Sequence, residues 1–284
     1  LASYLENHSN VHPQQLSFDI HLKETGLLTD LFTPGLKVAR QTKIEGNFNS
    51  QDGELQISGN SGLINYQGIK AYNWQLETSS NRDDFSLTMN FDRLMLKEQT
   101  SEDSTRIGID SLALKTTLHA DSIKYSFNWD TLQRAHSNRG NFQGMVYLVD
   151  PGKFRASFTD VHLVVDSLKW TVNPENSIVY DTSGIYFNKL AFYSDSARLA
   201  INGGISTRSS DSLRLNFKEL NVSQADQLFA GKDVDVNGIL NGSAVLVNLY
   251  ENPNFLLDLK LDELEFNRAE LGTLVLDTQW EDKE

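Results

Sequence analysis

The sequence predicts an all-β fold, one continuous and chiefly antiparallel sheet over residues 1–284 with one or two short helices. Three observations point there. Ile123, Tyr125, Phe127 and Trp129 occupy one parity while Lys124, Ser126, Asn128 and Asp130 occupy the other, the period of two expected of a strand with one wet face. Asp followed by Ser opens such runs again and again, at Asp110, Asp121, Asp166, Asp195 and Asp211. Its side chain bonds backbone amides just ahead, so each pair is expected to mark a tight reversal. Finally, Asp110 and Asp121 lie eleven residues apart and Asp195 and Asp211 sixteen, which leaves no room for crossover helices.

In chain order, "LSFDIHL" from Leu16 alternates as a strand, and "TGLLTDLFTPGL" from Thr25 reads as a short helix stopped by Pro34-Gly35. Strands follow in "KIEGNF", "ELQISG" from Glu54 and "FSLTMNF" from Phe85. "KEQTSEDSTR" from Lys97 and "QRAHSNRGN" from Gln133 are polar, lack periodicity and read as linkers or long loops at the sheet's rim. Beyond them "FRASF" from Phe154, "LKWTV" from Leu168 and "LRLNF" from Leu213 alternate, with "INGGIS" at Gly203-Gly204 read as a two-residue hairpin. A second helix is expected in "SQADQLFAGK" from Ser223, between a Ser N-cap and Gly231. "DVNGILNG" and "FLLDLKLDELEF" from Phe255 return to strand. Strand, helix and glycine-bearing strand thus succeed each other twice, so residues 16–77 and 213–280 read as a weak internal repeat.

Composition limits the function. The chain has 284 residues, 39% of them hydrophobic, enough for a substantial core. A net charge of −13 with scattered Lys and Arg argues against nucleic acid, whose phosphates need a concentrated basic surface. With no cysteine there is no disulfide, thiolate metal site or thiol nucleophile. No run approaches the length of a membrane-spanning helix. A start at Leu1 and an end in the strand-like "LVLDTQWEDKE" read as a segment of something longer.

No motif points to catalysis, a cofactor or a metal. "DVDVNG" from Asp233 copies half of a calcium loop, yet Ala244 stands where the bidentate Glu belongs. The six histidines, His8, His12, His21, His119, His136 and His162, share no ligand spacing. No serine sits in a glycine-flanked nucleophile elbow. Adjacent Asp83 and Asp84 suit a turn, whereas a glycosidase pair must converge on one bond.

The apolar parity remains to be hidden. A sheet does this by packing on a second sheet, by closing as a barrel, or by curling into a trough that accepts something apolar. Trp74, Trp129, Trp170 and Trp280 are spread along the strands instead of forming the two girdles of a membrane barrel. A closed β-sandwich serving as a binding, adhesion or structural module is the competing expectation.

From Leu213 to Trp280 the order of elements becomes specific. A strand, a helix, "VDVNGILNGSAVLV", the break "ENPN", "FLLDLKLDELEFN" and "AELGTLVLDTQW" follow one another. This resembles the TamB branch of the AsmA-like envelope proteins, with Gly238, Gly242, Pro253, Gly272 and Trp280 filling the places of its degenerate motif; Arg268-Ala269 departs from the usual glycine. The resemblance implies a long, highly curved, taco-like sheet around a hydrophobic groove. It implies a periplasmic segment of a protein tethered to the inner membrane of a Gram-negative cell. It further implies phospholipid carried between inner and outer membranes, and outer-membrane protein assembly with a barrel partner of the TamA type. The ends of the segment would continue into flanking parts of the same chain. On that reading Phe85, Leu87, Met89, Phe91, Ile123, Tyr125, Phe127, Trp129, Leu213, Leu215 and Phe217 face acyl chains.

Overall fold

A computed structural model of the chain describes residues 13–24, 26–97, 107–133, 136–165, 168–223, 235–250 and 252–278. Its eighteen strands belong to one antiparallel sheet, so the predicted all-β class holds. By contacts the chain divides into two compact units, Leu1–Ala135 with Arg139–Gln143, and His136–Asn138 with Gly144–Glu284.

The first unit opens with β1 (Gln15–Leu22) and helix α1 (Gly26–Phe32), where the sequence placed a strand and a helix. It continues through β2 (Leu36–Val38), β3 (Thr42–Asn49), β4 (Glu54–Tyr66), β5 (Ile69–Ser80), β6 (Asp84–Lys97), β7 (Ile107–His119) and β8 (Ser122–Gln133). β1 pairs with β3 across the excursion that holds α1 and β2, and each later strand pairs with its predecessor. Two-residue turns fix these registers: Tyr66 faces Ile69 across Gln67-Gly68, and His119 faces Ser122 across Ala120-Asp121. Gln67 and Gly68 have φ of +51° and +92°, the left-handed pair that matches strand twist in a tight hairpin.

β9 (His136–Asp150) contributes residues to both units. The second unit holds β10 (Lys153–Val165), β11 (Leu168–Val172), β12 (Ser177–Asp181), β13 (Gly184–Ser194), β14 (Ala197–Ser206), β15 (Ser212–Asn221), β16 (Val236–Val247), β17 (Asn254–Phe266) and β18 (Ala269–Thr278). β11 and β12 both pair with β10 and with β13, so they form one strand broken at residues 173–176. Asn176, 3% exposed, heals the break. Its Oδ1 accepts the Phe158 N–H at 2.8 Å, and its Nδ2 donates to the Phe158 and Asn173 carbonyls at 2.7 and 2.6 Å. Asn176→Ala strands these buried groups and is expected to cost about 3 kcal/mol, at ~1–3 kcal/mol for each unsatisfied buried group. A urea midpoint within error of the parent would show that water replaces the amide.

Several expectations need correction. Asp121 and Asp195 do stand in turns and Asp211 directly precedes β15, but Asp110-Ser111 lies inside β7, with Ser111 at φ +50°. Gly203-Gly204 is no hairpin either; it lies inside β14, opposite Phe187 and Tyr186. Residues 136–141 of the expected linker belong to β9. The first two errors share one cause: short polar or glycine residues that also build turns here take positive φ inside a strand. Residues 98–106, the Asp166-Ser167 pair and residues 224–232 of the expected second helix lie outside the described residues.

Three irregularities share one form. In β13, Asn188 and Lys189 together face the single residue Asn202 of β14, and Lys189 (φ +52°) donates its N–H to Asn202 Oδ1 at 2.9 Å. In β15, Lys218 and Glu219 face Asn241 of β16, and Glu219 (φ +47°) donates to Asn241 Oδ1 at 2.8 Å. In β17, Asp262 and Glu263 (φ +53°) face Thr273, whose hydroxyl donates to Asp262 Oδ1 at 3.0 Å. Each is a β-bulge, two residues against one, which bends its strand and sharpens the local twist. The extra residue also shifts parity, so Phe187 and Leu190, or Phe217 and Leu220, share a face although three apart.

Candidate functional site: the apolar face

Cross-strand partners share a face of the sheet, with Cβ atoms roughly 4.5–5.5 Å apart. In the first unit Phe85, Leu118 and Ile123 form one such row, Leu87, Thr116 and Tyr125 the next, and Met89, Leu114 and Phe127 a third. Phe91 stands opposite Leu112. All four β6 candidates therefore share one face with Ile123, Tyr125 and Phe127. Trp129, two residues on, tilts against Phe127 at 5.5 Å and stacks on Phe142 at 5.4 Å and 12°. The opposite face carries Ser86, Thr117 and Lys124, then Thr88, Lys115 and Ser126.

The same face runs on through strands that carry no predicted site residue. Leu87 leads to Thr78, Ile57, Gly46 and Phe18, and Met89 leads to Leu76, Gly59, Ile44 and Ile20. The polarity pattern of each strand alone signals this, but joining them needs the two-residue turns that set register.

Burial is uneven. The eight predicted residues of β6 and β8 are all half-buried. Among the described residues only Ala71, Met95 and Leu112 of this unit are buried apolar side chains. In the second unit Leu213, Leu215 and Phe217 also share a face, opposite Gly203, Ile201 and Leu199 on β14 and Leu246, Ala244 and Gly242 on β16. Leu213 is 8% exposed, packed like a core residue, while Leu215 and Phe217 are half-buried. Burial raises the Tyr125 phenol above its ordinary value, because the phenolate loses hydration on this face.

Two hollows flank the first unit. One of about 410 Å³ lies on the apolar side under α1, lined by Leu22, Phe32, Leu36, Val38, Ile44, Ile64 and Trp74 with three threonines. Of these, the Thr29 and Thr42 hydroxyls are spent on the Gly26 and Ala39 carbonyls, so neither needs a polar ligand. The larger, about 560 Å³, lies mainly on the polar side, among Asp19, Glu45, Asn47, Gln56, Ser58, Glu77 and Ser79. Its best-placed carboxylate, Glu45, is held below the usual range by hydrogen bonds from Lys43 and Ser58. A general acid needs the opposite shift. Among the described residues no group of three His, Asp or Glu side chains could hold a metal. His21, His119 and His162 are exposed beside Asp19, Asp84 and Asp160 at 3.0, 2.7 and 3.0 Å.

Compared with known protein families, with curated proteins and with solved structures, the chain matches none.

Proposed function

We propose that this chain is a non-catalytic segment of a bridge-like envelope protein whose apolar sheet face carries phospholipid between inner and outer membranes. In this reading it stands in the periplasm of a Gram-negative cell, within a protein anchored to the inner membrane. It continues into flanking segments of its own chain, and it supports outer-membrane protein assembly with a TamA-type barrel. One observation carries the proposal: a contiguous, mainly apolar face crosses β1 to β8 with most of its large side chains half-exposed. Such a face suits a mobile hydrocarbon better than a finished core, where aromatic residues would be sealed.

The energetics fit a conduit. Moving a phospholipid of roughly 30 methylenes through water forfeits on the order of 25 kcal/mol, at about 0.8 kcal/mol per CH₂. An apolar track removes most of that cost without ATP or a catalyst. The competing closed sandwich draws support from the second unit, where Leu190 and Leu213 are 4% and 8% exposed.

Mass spectrometry of an organic extract of the purified chain tests the proposal. Phospholipid is expected in amounts approaching one molecule per chain or more. A lipid-free extract, together with no binding of an apolar fluorescent probe, would favour the sandwich.

A further inference from the structure

Glycine is a poor strand residue, because it packs nothing and gives up the most backbone freedom on folding. Gly46, Gly59 and Gly140 nonetheless sit inside β3, β4 and β9, and none of them has a positive φ. Backbone conformation therefore does not demand glycine there, as it does at Gly203 and Gly242. What demands it is a ring. A Cβ on Gly46 would stand 2.5 Å from Phe18 Cζ, and one on Gly59 would stand 3.2 Å from Trp74 Cη2. On Gly140 it would fall within 2.5 Å of three bonded neighbours of Trp129, Cη2, Cζ2 and Cζ3, at nearly equal distances.

That equality fixes the attitude of the ring, since a Cβ meeting the edge would lie much nearer one atom than the other two. The six-membered ring of Trp129 lies flat over Gly140, and Phe142, parallel to it within 12° at 5.4 Å, lies down with it. All three glycines are buried, while Phe18, Trp74 and Trp129 above them are half-exposed. The three crossings belong to the apolar face of the first unit: Phe18 pairs with Gly46, Trp74 shares a parity with Leu76, the partner of Gly59, and Trp129 tilts against Phe127. Side chains on a sheet ordinarily stand roughly perpendicular to it. An upright ring would fill the space in which a ligand has to lie, whereas a ring laid over glycine leaves that space open and turns its flat side outward.

We infer that Gly140, with Gly46 and Gly59, sets the depth of the lipid track. By letting the rings lie down, these glycines make a flat aromatic floor on which an extended acyl chain rests. The role rests on the lipid-carrying reading, and it gives a positioning task to residues that touch no cargo themselves. Rings over glycines also steady a strand, so clearance and stability have to be read separately.

Gly140→Ala, with phospholipid measured in an organic extract of the folded chain, tests the role. The added methyl lifts Trp129 off its strand, and extracted phospholipid is expected to fall by about tenfold, the loss of roughly two methylenes of contact at about 0.8 kcal/mol each. Gly140→Ala with Trp129→Leu removes the ring that the methyl would raise and should restore the parental amount. Gly62→Ala, with nothing within 4 Å of its Cβ position, should change nothing. If the rings only steady the strand, Gly140→Ala lowers the urea midpoint, the folded chain keeps its lipid, and Trp129→Leu restores none; undiminished lipid or a failed restoration overturns the inference. Gly59→Ala serves if Gly140→Ala does not fold, because Trp74 needs to give by only a few tenths of an ångström. It too should lower extracted lipid, with recovery on Trp74→Leu, and unchanged lipid overturns the inference equally. A parent without extractable phospholipid removes the lipid-carrying reading and this role together, whereas a lipid-bearing parent with an undiminished Gly140→Ala chain removes this role alone.

Discussion

Gly242→Ala should cost the second unit about 4 kcal/mol or more, a large share of the usual domain stability of ~5–15 kcal/mol. Gly242 has φ +121°, a region essentially closed to other residues. A Cβ there would stand 2.0 Å from the Asp258 carbonyl oxygen and 2.9 Å from Leu259 Cα, both backbone atoms of the neighbouring strand. Neither can yield without opening the β16–β17 ladder. The residue before it, Asn241, caps the Glu219 bulge, so one substitution disturbs two registers. Gly203 repeats the arrangement, with φ +96°, the Ser212 carbonyl oxygen 2.0 Å from the Cβ position, and Asn202 before it capping Lys189. Gly62→Ala is the control: nothing lies within 4 Å of its Cβ position. Its urea midpoint should move by no more than about 0.5 kcal/mol equivalent, the ordinary range for a surface change. A Gly242→Ala chain with the parental midpoint would show that the bulge rows do not hold the sheet together.

The pairing of Asn with Gly at residues 202–203 and 241–242 also explains what the sequence could and could not reveal. Asn-Gly is a strong hairpin signal, and the same properties serve a bulge: the amide oxygen caps a stray N–H, and glycine takes the positive φ. Only the flanking pattern separates the two uses, since apolar residues continue at the same face beyond Gly203 without the reversal a hairpin would bring. Asp110-Ser111 misleads in the same way, because Asp110 pairs with Arg93 across the ladder instead of capping a turn. By contrast, period two identified the apolar side of β6 and β8 directly, since Phe85 to Phe91 and Ile123 to Phe127 each keep one parity and the register aligns them. Helix α1 left a weaker trace: "TGLLTDLFTPGL" reads as a short helix stopped by Pro34-Gly35, and only the structure shows that Leu31 and Phe32 are left uncovered.

Phe127→Asp is expected to reduce extracted phospholipid by on the order of 30-fold while the chain stays folded. Phe127 sits mid-face, in a row with Met89 and Leu114 and against Trp129. A carboxylate there must keep water beside any hydrocarbon that crosses it; an obstacle of about 2 kcal/mol already gives a 30-fold effect. Because Phe127 is half-buried and not sealed, the folded state can hydrate the new charge from the open side, and the stability cost should stay below the ~3–5 kcal/mol of a fully buried Phe truncation. Asn128→Asp places the same charge on the opposite face and should leave bound lipid unchanged. The two readings of the apolar face diverge most sharply here. A filled core cannot hydrate the introduced carboxylate and unfolds with no specific loss of lipid, whereas an open face folds and loses its cargo. A folded Phe127→Asp chain that retains parental phospholipid would remove the apolar face of β6 to β8 from any account of lipid binding.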